Sequence, residues 1–177
     1  MLLDGCGGRL GVAAPAWIAS RDEVLDNLQR FRSVNLIVLA GRSGWRELLD
    51  DIQERLPDLA LVDLQDGRTV PREGLLTALL QGLGLNPGRL ARPHDLPEFT
   101  QRLESLRRKV RIGLTHFDLV PHRSDYDVNL FGSLRFLIAD HPLRPLTLCI
   151  QSRAPFRDLL PPGNELSEID CALVELR

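Results

Sequence analysis

The stretch Val34-Asn35-Leu36-Ile37-Val38-Leu39-Ala40 leads directly into Gly41-Arg42-Ser43-Gly44-Trp45-Arg46-Glu47-Leu48-Leu49. Its first seven residues are almost continuously apolar, as a strand covered on both faces requires. Two glycines then break the run, and from Trp45 the apolar residues recur at helical spacing. The reading is strand, glycine turn, helix. A turn of this kind is where phosphate-binding loops occur, because backbone N–H groups and a helix N-terminus point at the anion.

Outward from this unit, the pattern repeats. Leu59–Leu64, Val110–Phe117, Leu146–Gln151 and Cys171–Leu176 read as four further strands. Helices are expected over Trp45–Arg55, Glu73–Leu83, Leu96–Arg108 and Tyr126–Asp140, with Ser124 or Asp125 capping the last. Upstream, Ser20-Arg21-Asp22-Glu23 has the form of a capping box, and Val24, Leu25, Leu28 and Phe31 form one stripe behind it. Residues 1–19 are Gly/Ala/Pro-rich and read as an irregular arm, leaving 20–177 as a single domain. Apolar strands alternating with helices of this length imply right-handed crossovers and a parallel sheet with helices on both faces. The fold class is therefore a three-layer α/β domain with a five-stranded parallel sheet.

Composition narrows the function classes. The 177 residues include 22 Lys and Arg against 24 Asp and Glu, a net charge of −2, with an apolar fraction of 44%. Disorder is excluded, and nothing suggests a broadly basic nucleic-acid-binding protein. No apolar run approaches the roughly 20 residues that span a bilayer. Leu3-Asp4-Gly5-Cys6 resembles a lipoprotein cleavage site, but only five residues precede Cys6, too few for a signal segment. Cys6, Cys149 and Cys171 are odd in number, and two lie in apolar strands, so free thiols in a reducing cytoplasm are expected.

A working phosphate loop of the form Gly-x4-Gly-Lys-Ser/Thr needs each of its parts: glycines for the curl, lysine for the outer phosphates, a hydroxyl for magnesium. Counted from Gly41 without gaps, Arg46 takes the place of the second glycine, Glu47 that of the lysine and Leu48 that of the hydroxyl. With a two-residue deletion, Gly44 becomes the second glycine, Trp45 replaces lysine and Arg46 replaces the hydroxyl residue. The chain's one lysine, Lys109, begins a different strand and cannot substitute.

With these residues in view, 17–177 resemble the nucleotide-binding core of the AAA+/STAND class of bacterial P-loop ATPases. Ser20-Arg21-Asp22-Glu23-Val24-Leu25 is similar to the short helix that opens those domains, and Val62-Asp63-Leu64 to their second strand. Thr115-His116-Phe117-Asp118 falls where the Walker B quartet Asp-Glu-Phe-Asp stands, so Thr115 replaces the magnesium aspartate and His116 the catalytic glutamate. Ser152-Arg153 resembles the end of the sensor strand. The resemblance implies sheet order 5-1-4-3-2 and, because the sequence stops where a helical lid would follow, no lid. It implies candidate nucleotide-contact positions at Gly41, Arg42, Ser43, Gly44 and Arg46, at Thr115, His116 and Asp118, and at Ser152 and Arg153.

Competing chemistries are weaker. A nucleophile elbow at Ser43 would need glycine two residues on, where Trp45 stands. His94, His116, His122 and Asp118 lack the spacing of a metal site. Arg102, Arg107, Arg108 and Arg111 sit with Glu98 and Glu104, which reads as a solvated helix face. The expectation is a non-enzymatic P-loop-like module of a bacterial signalling or conflict system, cytoplasmic, without cofactor. It is expected to contact a protein partner or form a homo-oligomer, and not to bind nucleic acid or membrane. The alternative is a switch that holds ATP, ADP or GTP weakly through Gly41–Arg46, with Arg42 or Arg46 in place of lysine.

Overall fold

A computed structural model describes residues 17–176. Five strands form one sheet: β1 (Ser33–Ile37), β2 (Leu59–Asp63), β3 (Val110–Thr115), β4 (Leu146–Ser152) and β5 (Cys171–Glu175). All pairings are parallel and the order is β2-β3-β4-β1-β5, which is the expected 5-1-4-3-2 read from the other edge. β1 lies between β4 and β5, with Val34 level with Cys149 on one side and Ala172 on the other. All five of its residues are buried, as its apolar run predicts. Strands β1 and β3 end earlier than the apolar runs suggested: Val38 still donates to the Ser152 carbonyl at 2.8 Å but is the last to do so, and His116 turns the chain out of β3 with a left-handed φ of 54°.

The helices are α1 (Ile18–Gln29), α2 (Trp45–Arg55), α3 (Arg72–Gly82), α4 (Asp95–Ser105) and α5 (Val128–Arg135). One core joins Val24, Leu28, Leu48 and Ile52 of α1 and α2 to Leu36, Cys149 and Val174 of the sheet. The other joins Leu76, Phe99 and Phe131 of α3, α4 and α5 to Val62, Ile112 and Ile150. Gly113 in β3 is fixed by this packing: a Cβ there would lie 2.2 Å from Leu61 Cδ2 of the neighbouring strand. Burial pushes the Cys149 and Cys171 thiols up to about 12, so both are inert at neutral pH. Cys6 and residues 1–16 of the expected arm lie outside the described residues.

Three local expectations are corrected. Residues Ile18 and Ala19 belong to α1, whose N-cap is Trp17, so the Ser20–Glu23 capping box does not form. Ser20 is buried and its hydroxyl donates to the Glu175 carbonyl at 2.9 Å, tying α1 to the end of β5. The last helix is not capped by Ser124 or Asp125: Asp127 accepts the Leu130 N–H at 2.9 Å and opens α5 two residues later than expected. After Arg135 the helix loosens into a π-type turn over Phe136–Asp140. The arginine cluster also divides. Arg102 pairs with Glu98, whereas Arg111 is buried on β3, donating to the Leu28 carbonyl and paired with Asp58.

An ion network that the sequence did not disclose holds the second helical layer. The Arg72 guanidinium at the start of α3 grips Asp95 of α4 through two bonds of 2.7 and 2.9 Å, and Asp127 at the start of α5 at 2.7 Å. Arg72 is 5% exposed and Asp95 fully buried. Burial alone would raise the Asp127 carboxyl, but the Leu130 N–H and Arg72 hold it below its usual range. Replacing Arg72 with methionine leaves a buried carboxylate without its cation, and chemical denaturation should show a loss of about 3–5 kcal/mol. The double variant Arg72→Met/Asp95→Asn should recover part of that loss, because the unpaired charge is gone.

Candidate functional site

The glycine turn fills the space between the end of β1 and the start of α2. Trp45 is the first helical residue, and Gly44, with φ of 87°, is the N-cap. Gly44, Trp45 and Arg46 thus open α2, with an indole and a guanidinium, and no lysine, at the helix start. Gly44 needs its freedom twice over, since a Cβ there would also lie 2.7 Å from Trp17 Cδ1. Trp17 is held by Arg21, whose guanidinium lies 5.8 Å from the indole centroid and pairs with Asp51 of α2. The turn is thus closed at the helix start by one indole.

A second indole closes it toward the sheet. Trp45 packs edge-on against His116 at the exit of β3, with centroids 5.3 Å apart and planes at 85°. Arg46 lies 5.0 Å over the Trp45 ring instead of turning toward the strand ends. His116 adopts a left-handed backbone, φ 54°, that sends the chain into a short 3-10 helix, Phe117–His122. Its N–H donates to Gln151 Oε1 at 2.8 Å, and its Nδ1 lies 2.7 Å from Asp63 Oδ1 at the end of β2. Burial pushes the Asp63 carboxyl up, but the Gln65 N–H, His116 and Thr115 more than offset this and hold it below its usual value.

The later strand ends are tied down as well. Asp118 Oδ1 accepts the Arg153 N–H at 2.8 Å, joining the exits of β3 and β4. Ser152 is fully buried: its hydroxyl accepts from Asn35 Nδ2 at 2.7 Å and donates to the Ala154 carbonyl at 2.6 Å. Asn35 also donates to the Ile150 carbonyl and accepts the Phe156 N–H. Every polar atom of this pair has a partner within the protein, so Ser152 is part of the sheet's fabric.

A cleft of about 230 Å³ remains, lined by Gly41, Arg42, Trp45, His116, Asp118 and Arg153, with Gln151 at its wall. The structure thus brings together Gly41, Arg42, His116, Asp118 and Arg153 of the expected set. Ser43, Gly44, Arg46, Thr115 and Ser152 lie outside the lining. The volume falls short of the roughly 300–1,000 Å³ typical of small-molecule sites. Two guanidiniums, Arg42 and Arg153, suit an anion; among the described residues neither makes an ion pair. Magnesium would meet only Asp118, one oxygen of which is already engaged by the Arg153 amide.

Sequence reading missed three residues here. Asp63 as the partner of His116 was legible in principle, because adjacent parallel strands end side by side. Gln151 was visible only as the polar end of an apolar strand, and Trp17 gave no signal. His94 is the exposed N-cap of α4 and His122 is exposed at the end of the 3-10 helix, while His116 is engaged by Asp63. Among the described residues, no three His, Cys, Asp or Glu side chains converge as metal ligands. Nor is any described helix long and apolar enough to cross a membrane.

Comparison with known proteins bears on the fold. No protein-family model matches the sequence, and no curated protein does. Among solved structures, the ORC2 protein of Aeropyrum pernix in its ADPNP–ADP complexes superimposes with a TM-score of 0.63 at 14% identity, over 89% of this chain and 46% of that one. The ORC1 protein of the same organism, in complex with DNA, gives 0.63 at 19% identity, over 90% of this chain and 44% of that one. A Walker-type ATPase of Pyrococcus abyssi gives 0.61 at 15%, over 90% and 52%. The chain spans about half the length of these three structures. The shared architecture is a P-loop NTPase-like α/β fold.

The Asp63–His116 contact yields a pH test. A carboxyl whose folded value is lowered adds stability above its unfolded value, and that stability is lost as the pH falls through the folded value. Asp63→Asn should therefore cost less than about 1 kcal/mol above pH ~4, in keeping with a half-exposed group. The difference from the wild type should vanish in more acidic buffer, as read by denaturation across the pH range.

Proposed function

We propose that this chain is a P-loop-type domain that does not hydrolyse nucleotide and acts as a protein-interaction or regulatory module. The observation that carries this is the state of the strand-to-helix turn. Where a phosphate would meet a helix N-terminus, Trp17 covers Gly44 and Trp45 turns in against His116. The residues at the magnesium and general-base positions are Thr115 and His116, and His116 is engaged by Asp63. Hydrolysis needs a positioned metal, a charge clamp and an activated water; this arrangement supplies none of them in a usable place. The helix at Ser20–Leu25 and the strand Val62-Asp63-Leu64 support a role of the STAND regulatory kind.

A second reading rests on a separate observation. The Arg42 and Arg153 guanidiniums face a cleft at the ends of β1 and β4, beside Asp118 but in no ion pair among the described residues, and can together attract an anion. On this reading the domain is a switch that responds to ATP, ADP or GTP without turning them over.

Titration with ATP, ADP and GTP plus magnesium separates the two. A ligand at a hundred times its dissociation constant stabilises the folded state by about 2.7 kcal/mol, or roughly 5–10 °C in a domain of this size. The expected result is no heat of binding and no melting shift at millimolar nucleotide. A shift abolished by Arg42→Ala or Arg46→Ala would overturn the scaffold reading in favour of the switch.

A further inference from the structure

The opposite end of the sheet, where β3, β4 and β1 begin, carries an excess of positive charge that the chain's net charge of −2 conceals. Arg107, Arg108 and Lys109 lead into β3, and Arg144 leads into β4. All four are exposed, and among the described residues none makes an ion pair. The other cations there are neutralised: Arg30 by Asp26, Arg32 by Asp170 and Arg111 by Asp58. The remaining acid, Glu104, is engaged by His141 Nε2 at 2.9 Å.

The backbone shows the same face to be specially built. Only four described non-glycine residues have positive φ, and three of them lie here: Phe31 at 56°, Arg107 at 49° and Arg144 at 41°. They stand in the loops entering three adjacent strands, in a backbone conformation that side-chain-bearing residues adopt only where the surroundings hold them there. The Arg144 loop is also preset. His141 is buried and its Nδ1 accepts the Leu143 N–H at 3.1 Å, which leaves Nε2 as the atom facing Glu104.

Between these loops is a slot of about 230 Å³, lined by Leu103, Leu143, Pro145 and Glu104, whose carboxylate His141 holds, and rimmed by Arg107, Arg108 and Lys109. Leu143 is 60% exposed. We propose that this face docks an acidic segment of a partner protein, with one apolar side chain of that segment seated in the slot and carboxylates paired to the rim. An aliphatic slot with three unpaired cations at its rim, and its own carboxylate already held by His141, suits that chemistry. Nucleic acid fits less well. Two aromatic rings near the face are already engaged: Phe31 lies 4.0 Å from the Arg111 guanidinium and 5.2 Å from Lys109 Nζ, and Phe136 packs edge-on against His141 at 5.4 Å, so neither is offered freely to a base. The face lies at the far end of the strands from the glycine turn, so the inference holds whether or not that turn binds a nucleotide.

The test uses the full chain and a fluorescein-labelled peptide of about nine residues, glutamates and aspartates around one central leucine, in buffer of about 50 mM salt. Anisotropy should report saturable binding, weakened about tenfold or more in Arg108→Glu/Arg144→Glu and in the peptide whose leucine is replaced by serine. Both substitutions are on exposed side chains, and an unchanged melting curve will show that the fold is intact. Arg42→Glu, at the other end of the sheet, should bind as the wild type does. The proposal is overturned if the peptide does not bind, if the double variant or the serine peptide binds equally well, or if an oligothymidine of about twelve nucleotides binds more tightly than the peptide.

Discussion

Three of the five described α-helices meet at one guanidinium. Arg72 is buried at the start of α3, and its two carboxylate partners open α4 and α5. A cation placed at three helix N-termini is unfavourable in itself, since that end of a helix attracts negative charge. Asp95 and Asp127 supply that charge, and Arg72 in turn makes their burial tolerable. Such a network adds little net stability compared with a well-packed apolar core, but it punishes any arrangement in which the partners are apart. Here that fixes where α3, α4 and α5 begin relative to one another, and hence how they cover the sheet.

The other layer is held differently. α1 and α2 pack through aliphatic side chains onto β1 and its neighbours, and the polar contacts are at the ends: Ser20 on β5, and Arg21 between Trp17 and Asp51. That arrangement leaves the start of α2 beneath two indoles. The same turn that in a nucleotide-binding domain would stay open for an anion is here part of the packing between α1, α2 and the strand ends.

Much of the fold was legible from period and punctuation. Nearly continuous apolar runs such as Val34–Ala40 specify buried parallel strands, and the glycine turn specifies the step into α2. The sheet order followed from resemblance, not from any property of the strands themselves. What the sequence withheld has a common cause, namely long-range pairing of short polar side chains. Ser20 has the form of an N-cap, but its hydroxyl finds the Glu175 carbonyl, 155 residues away. Asn35 looks like an interruption of a strand, yet it closes a bond network with Ser152 and Phe156. At the candidate site, the absence of a lysine from the glycine turn and of a carboxylate at Thr115 and His116 could be read directly. The Asp63–His116 contact and the seat of Trp17 on Gly44 could not, because both depend on which elements lie side by side. The charge on the opposite face was hidden for the same reason: Arg107, Arg108 and Lys109 meet Arg144 only after β3 and β4 are paired.

The position of β1 has a consequence for how the chain is made. It precedes both of its partner strands in the sequence: Val34 must pair with Cys149 on one side and Ala172 on the other. Until more than a hundred further residues have been synthesised, one of the most apolar segments of the protein has no strand to lie against. Parallel pairings of such sequence separation form slowly and expose sticky edges while they wait. α1 and α2, which flank β1 and share its core, are the elements available to shield it in that interval. The early half of the domain therefore serves as its own temporary cover, and β5, the last of the described strands, closes the edge beside β1.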